Sequence, residues 1–207
     1  MSRRHVAIFT RAPVAGISKT RLIPLLGAEG AAHAQRRMTW HALAVATALP
    51  DATVSLWCAG DPAHPFLQLC GAHFHVECVP QCDGDLGLRM ADCLQRALAR
   101  HEQALLIGSD CPAMTTAHLA QAAATLEAAR MVFIPAEDGG YVLVGARRGG
   151  LETGCFQDVA WGSGQVMAQT RRQLAARGWR MGHDWREMPA LWDVDTPDDY
   201  RRAQTIR

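Results

Sequence analysis

The chain has 207 residues, 49% of them hydrophobic and 20% charged, with 21 basic residues against 20 acidic ones and a formal charge of +1. Those values exclude a disordered or fibrous chain, and with no global field to draw it to polyanions they speak against nucleic-acid binding and membrane association. Seven cysteines, an odd number with no repeating framework, fit free thiols in a reducing compartment. There is no Asn. The apolar run His5 to Thr10 that separates Arg4 from Arg11 is too short for a signal-peptide core, and no run reaches membrane-spanning length. The expectation is a soluble, cytoplasmic protein.

The elements follow in chain order. His5 to Thr10 predicts a buried first strand, and a loop with Pro13 and Gly16 follows it. Ala28 to Leu49 is Ala-rich with helical periodicity and closes at Pro50. Thr53 to Cys58 and Phe74 to Val79 read as the second and third strands. Asp85 to Arg100 predicts a helix whose Leu86, Met90, Leu94 and Leu98 share a face. Ala104 to Gly108 predicts a strand running into Ser109-Asp110-Cys111-Pro112, and Thr115 caps a helix expected to reach about Arg130. Met131 to Pro135 and Tyr141 to Ala146 predict strands flanking Glu137-Asp138-Gly139-Gly140. Ser163 to Arg177 reads as helical, and Thr196-Pro197-Asp198-Asp199 opens a last helix with a cap, Pro at its first position and acids in its first turn. Strands alternating with helices, with no linker-like stretch, predict one domain over 1–207: α/β, three layers α/β/α, on a mostly parallel sheet.

In such a sheet ligands bind beyond the carboxyl ends of the strands. Three groups of residues fall there. The first-strand loop carries Arg11, Gly16, Lys19 and Arg21, and Lys19 is the sole Lys among 21 basic residues. An ammonium on a flexible stem is not interchangeable with a guanidinium. The loop lacks the glycines of a P-loop around Lys19-Thr20, and no G-x-G-x-x-G follows the strand. Three cations on one loop either form a solvated basic surface or hold a polyphosphate, and the placement of the lone Lys favours the latter. Asp110, where a buried strand emerges, is either a turn residue before Pro112 or an oxygen ligand for Mg²⁺ or Mn²⁺. Asp193 and Asp195 alternate in an extended segment, so both carboxylates face one way and can share a metal with Asp110. His73, His75, Cys78 and Cys82 match no zinc-finger spacing, and Cys111 has no evident His partner. The six Trp read as packing anchors rather than a platform for nucleic acid.

Taken together, the motifs resemble a bacterial family of uncharacterised GT-A-like proteins assigned as glycosyltransferases. The resemblance rests on Phe9-Thr10-Arg11-Ala12-Pro13-Val14-Ala15-Gly16 with Lys19-Thr20-Arg21-Leu22, then Gly84 to Met90, Gly108 to Pro112, Asp138 to Tyr141, and Asp193 to Asp199. Lys19-Thr20-Arg21-Leu22 and the Asp-x-Asp-Thr-Pro block are also similar to nucleotidyltransferases of the 2-phospholactate guanylyltransferase type. The resemblance implies a GT-A, nucleotide-diphospho-sugar transferase fold using Mg²⁺ or Mn²⁺, a nucleotide-sugar or NTP donor and a small-molecule acceptor. By the same resemblance Lys19 and Arg21 contact nucleotide phosphates, Asp110 and Asp195 hold the metal, and Gly139 and Gly140, with Tyr141, border the sugar or acceptor. Asp85 and Arg89 would border the nucleotide, and Asp138 is the nearest candidate base. A single Asp110 stands where glycosyltransferases commonly carry Asp-x-Asp, which keeps nucleotidyl transfer open. A non-catalytic nucleotide-binding module is the expectation from another class.

Overall fold

The computed structural model describes residues 3–205. In chain order they form β1 (Arg4–Arg11), α1 (Ile23–Thr47), β2 (Ala52–Ala59), α2 (Pro65–Phe74), β3 (Glu77–Pro80), α3 (Leu86–Arg100) and β4 (Gln103–Gly108). Then follow α4 (Thr116–Thr125), β5 (Met131–Pro135), β6 (Tyr141–Arg147), α5 (Val166–Ala176), β7 (Trp185–Glu187) and α6 (Pro197–Ala203). The strands make one seven-stranded sheet in the order β3-β2-β1-β4-β6-β5-β7. Neighbours are parallel except for β6, which runs antiparallel to both β4 and β5. The short turn between β5 and β6 leaves no room for a crossover, so that pair closes as a hairpin.

Alternation along β1 sends Val6 and Ile8 to one face of the sheet and Ala7 to the other. The first face is covered by α1, α2 and α4 through Leu43, Leu67 and Leu119, the second by α3 and α5 through Leu94 and Leu174. The result is the expected three-layer, mostly parallel arrangement. Thr115 and Thr196 each close a reciprocal capping box, with His118 and Asp199 at the third position.

The structure departs from expectation in four places. Phe74 ends a helix instead of opening a strand: α2 starts at Pro65, its cap supplied by His64, and stops where His75 turns left-handed (φ 55°). Gly71 inside it and the lack of a polar face obscure its helical pattern. The strand edge therefore begins at Glu77. The α4 helix ends at Thr125, although Leu126 and Ala129 stay fully buried in the turns beyond it. At the start of α1, Gly27 (φ 68°, ψ 169°) breaks the helical path, so the regular run begins where the Ala-rich pattern does. The edge strand β7, three residues long, carries no periodicity to read.

Candidate functional site

A cleft of about 750 Å³ opens at the carboxyl ends of β1 and β4. Its first wall is the loop after β1. Ser18, almost fully buried, donates to Ala12 O at 2.7 Å and accepts from Val14 N at 3.0 Å, which folds the loop on itself. Gly16 supplies the positive φ (81°) this fold needs. Lys19 then adopts a left-handed backbone (φ 48°, ψ 48°) and turns its side chain inward, where only 10% of it is exposed.

The Lys19 ammonium meets the acids directly. Nζ donates to Asp110 Oδ2 at 2.8 Å, to Val194 O at 2.6 Å and to Asp195 Oδ1 at 3.1 Å. An ammonium has three donors, and all three are engaged within the protein. Arg21 Nη1 lies 3.3 Å from Asp195 Oδ2 but is largely exposed. Asp110 is aimed by its surroundings. Its carbonyl accepts from Val194 N at 2.9 Å, joining the extended 193–195 segment to the end of β4. A Cβ on Gly108 would stand 2.8 Å from Asp110 Oδ1, so glycine there lets the carboxylate fold back over the strand end.

Trp192 and Val194 point into a small core with Leu22 and Met38, so Asp193 and Asp195 face the other way, as period-2 spacing requires. One oxygen each from Asp110, Asp193 and Asp195 lies within 4.8 Å of the others. Among the described residues no other group of His, Cys, Asp or Glu converges so closely. An all-carboxylate donor set suits a hard divalent cation such as Mg²⁺ or Mn²⁺.

The acids differ in their electrostatics. Burial works against the charges on Lys19 and Asp110, yet their mutual attraction wins, leaving the ammonium above its ordinary pKa and the carboxyl below. Asp193 has no such cation: burial first, then the charges of Asp110, Asp138 and Asp195, push it up to about 7. A carboxyl raised in this way contributes stability that is fully present below its ordinary value of 3.8 and is lost as pH rises from there through about 7. Asp193→Asn is therefore expected to raise the metal-free melting temperature by roughly 2–5 °C at pH 8 and hardly to change it at about pH 3.5, below the ordinary Asp value of 3.8. Thermal melts at both values with a chelator present check this, and equal shifts would show that Asp193 is not under like-charge pressure.

Of the other cations, Arg11 and Arg89 line the cleft and form no ion pair among the described residues; Arg89 Nε donates to Gly84 O at 2.9 Å. Asp85 is engaged as the cap of α3, accepting from Leu88 N at 2.8 Å, and does not line the cleft. Asp138, Gly140, Tyr141 and Trp161 also line the cleft, with Asp138 near enough to the acids for its charge to act on Asp193. Asp138 Oδ1 accepts from Gly140 N at 2.9 Å and so shapes its own turn. Gly139 (φ 94°) has a packing role: a Cβ would lie 2.2 Å from Gly164 O, so the turn closes against the 162–164 loop rather than against the cleft. Tyr141 and Trp161 meet edge to face at 6.3 Å.

Several cleft residues carry no sequence signal of function. Thr10, Gln35, Ser109, Trp161 and Gly164 all line it. Glycine positions with close approaches could have pointed to Gly164; nothing in an Ala-rich helix marks Gln35. The residues set aside as a zinc group play other parts: His73 packs against Trp40 with ring centroids 4.7 Å apart and planes tilted by 35°, and Cys78 Sγ donates to Leu67 O at 3.3 Å. Burial raises the Cys111 thiol to about 12, which rules it out as a thiolate at neutral pH. Among the described residues no helix is long and apolar enough to cross a membrane.

Residues 42–163 match the model of a family described as uncharacterized protein conserved in bacteria (DUF2064), and the chain belongs to that family. Among curated proteins, none matches this chain in sequence. Of solved structures, one from Desulfovibrio desulfuricans G20, provisionally described as a nucleotide-diphospho-sugar transferase, is 27% identical with a TM-score of 0.85, covering 95% of this chain and 84% of its own. CMP:2-keto-3-deoxy-manno-octonic acid synthetase, solved with CTP, is 11% identical with a TM-score of 0.64 over 99% of this chain and 98% of the other. Rv0371C of Mycobacterium tuberculosis H37Rv, solved with manganese, is 20% identical with a TM-score of 0.56 over 99% and 100%. The α/β fold is thus that of nucleotide-sugar transferases and nucleotidyltransferases.

Proposed function

We propose that this chain is a divalent-metal-assisted transferase that takes a nucleoside diphosphate sugar and passes the sugar to a small acceptor. One observation carries the reading. Three carboxylate oxygens converge within 4.8 Å at a strand end, beside a cleft lined by two of those acids, Asp110 and Asp195, and by the guanidiniums of Arg11 and Arg89, which form no ion pair among the described residues. Such a site suits a metal–diphosphate: Asp110, Asp193 and Asp195 would hold Mg²⁺ or Mn²⁺, whose chemistry is to neutralise charge on a departing diphosphate. The similarity to the Desulfovibrio protein and the manganese in the mycobacterial one support the reading.

The cations divide the work. Arg11, Arg21 and Arg89 bind phosphate oxygens by charge-assisted hydrogen bonds, while Lys19 holds the acids in register. The anomeric carbon–oxygen bond breaks with its electron pair passing to the diphosphate, and the acceptor oxygen bonds to that carbon. Asp138 is assigned to take the acceptor's proton, because its Oδ1 is fixed by Gly140 N and it lines the cleft together with Tyr141 and Trp161. The sugar and acceptor lie between Gly140, Tyr141 and Trp161. The loop after β1 argues for a diphosphate over a triphosphate: Pro13 has no donor, and the amides of Val14, Ile17 and Ser18 are bonded within the loop.

The test incubates the protein and Mn²⁺ or Mg²⁺ with NDP-sugars or NTPs and candidate acceptors, measuring NDP and pyrophosphate separately. Acceptor-dependent NDP release is expected. Pyrophosphate release from an NTP with NDP-sugars intact would make it a nucleotidyltransferase, and binding without any turnover a nucleotide-binding module.

A further inference from the structure

Gln35 is an amide on the buried face of α1, flanked by the buried Ala31, Ala32, Ala34 and Met38. Only 5% of it is exposed, and yet it lines the cleft. Its Nε2 lies 3.2 Å from Thr10 Oγ1, 3.1 Å from Thr39 Oγ1 and 3.0 Å from Ser109 Oγ. The two threonine hydroxyls are themselves 2.9 Å apart. Thr39 is fully buried, and Thr10 and Ser109 are 5% and 6% exposed. Four polar side chains at such depth are destabilising unless each is satisfied, and leucine or methionine would fill the position without that demand.

The network satisfies only one end of the amide. With its nitrogen fixed among three hydroxyls, Gln35 Oε1 has no protein donor among the described residues. It is the polar atom the cleft floor keeps for a ligand, and it is an acceptor. Ser109 precedes Asp110, so Gln35 sits beside the place where the diphosphate is proposed to bind. A diphosphate has only acceptor oxygens at neutral pH and cannot pair with an amide carbonyl. The groups bonded to it on either side are sugars, and sugars carry hydroxyl donors.

From this we infer that Gln35 is a specificity-determining residue whose Oε1 accepts a hydrogen bond from a sugar hydroxyl of the bound nucleotide. The inference rests on the nucleotide reading above. The hydroxyl belongs to the ribose or to the transferred sugar, and the two sources are separable by experiment. Gln35→Met keeps the length, helix propensity and volume of the side chain while removing the acceptor.

Calorimetric titrations with Mg²⁺ compare wild type and Gln35→Met against ribonucleoside diphosphates, their 2′- and 3′-deoxy analogues, and the matching NDP-sugars. If the ribose supplies the hydroxyl, wild type prefers the ribonucleotide over one deoxy analogue by roughly tenfold, and Gln35→Met loses that preference. If the transferred sugar supplies it, the variant weakens NDP-sugar binding by a similar factor and leaves NDP unchanged. Either result supports the inference. Equal affinities of wild type and variant for every ligand, or a uniform loss across all of them, would overturn it while leaving the nucleotide site standing. No nucleotide binding by wild type would instead overturn the functional reading and the inference with it. Should Gln35→Met fail to fold, Thr39→Val releases the amide from one of its anchors and is expected to blunt the same preference; unaltered discrimination there counts against the inference.

Discussion

Asp110→Asn is expected to abolish the effect of divalent metal on nucleotide binding and to lower turnover by roughly 10²- to 10³-fold, as the loss of a group that stabilises developing charge in a catalytic site does. Three observations put so much on one side chain. Asp110 is the carboxylate aimed by the sheet itself, at the end of β4, with Gly108 clearing its path and its own backbone tied to Val194. It supplies one of three converging oxygens. It also holds Lys19 at 2.8 Å, and Asn retains an acceptor oxygen there. The folded protein should survive the change because Asp195 and Val194 O still engage the ammonium, with a loss of about 1–3 kcal/mol at pH 7. The pH dependence has a definite sign. Asp110 sits below the ordinary carboxylate range because Lys19 offsets its burial, so its contribution is present at neutral pH and is lost as pH falls below that range. Titrating nucleotide with and without chelator, beside a thermal melt, checks the prediction; an Asp110→Asn protein that still binds nucleotide more tightly with Mn²⁺ would remove Asp110 from the metal site.

What the sequence discloses of this site is its charged part. The β1 loop, Asp110 and the Asp193–Asp195 pair could be placed at strand ends because charge, glycine and proline punctuate buried apolar runs. Period-2 spacing even gives the common facing of Asp193 and Asp195. The hidden part is whatever depends on distant segments meeting. Gln35 lies 74 residues from Ser109 and 25 from Thr10, and each alone reads as an ordinary polar residue. Gly139 reads as a glycine for a ligand, but the atom its Cβ would strike belongs to Gly164, from a loop with no pattern of its own. The α2 helix was illegible for a local reason, since Gly71 and an almost wholly apolar run mask its period. Lys19 is the instructive middle case: its uniqueness marks it as functional, but only the folded chain shows that its ammonium faces the acids.

Lys19→Met follows from that placement. A basic residue that only touches phosphate would leave the ligand-free protein as stable as before and weaken diphosphates alone. Lys19 instead directs all three donors inward, to Asp110, Val194 O and Asp195, with 10% of its side chain exposed. Removing it leaves Asp110, Asp193 and Asp195 facing one another, with Arg21 near Asp195 as a poorly placed and exposed substitute. Stripping one partner from a largely buried ion pair destabilises by about 3–5 kcal/mol. Partial solvent access of Asp110 and Asp195 lowers this to roughly 2–3 kcal/mol, several degrees in melting temperature for a chain of this size. A divalent cation binding those same carboxylates should then restore part of the loss. Mn²⁺ at millimolar concentration is expected to raise the melting temperature of Lys19→Met by more than it raises that of wild type, since stabilisation by binding grows with affinity and the variant has no ammonium competing for the same oxygens. The measurement is a pair of melts per protein, with chelator and with Mn²⁺. An unchanged metal-free melting temperature in Lys19→Met, or a smaller Mn²⁺ shift than in wild type, would mean that Lys19 does not neutralise the acid cluster and that its role lies with the phosphates alone.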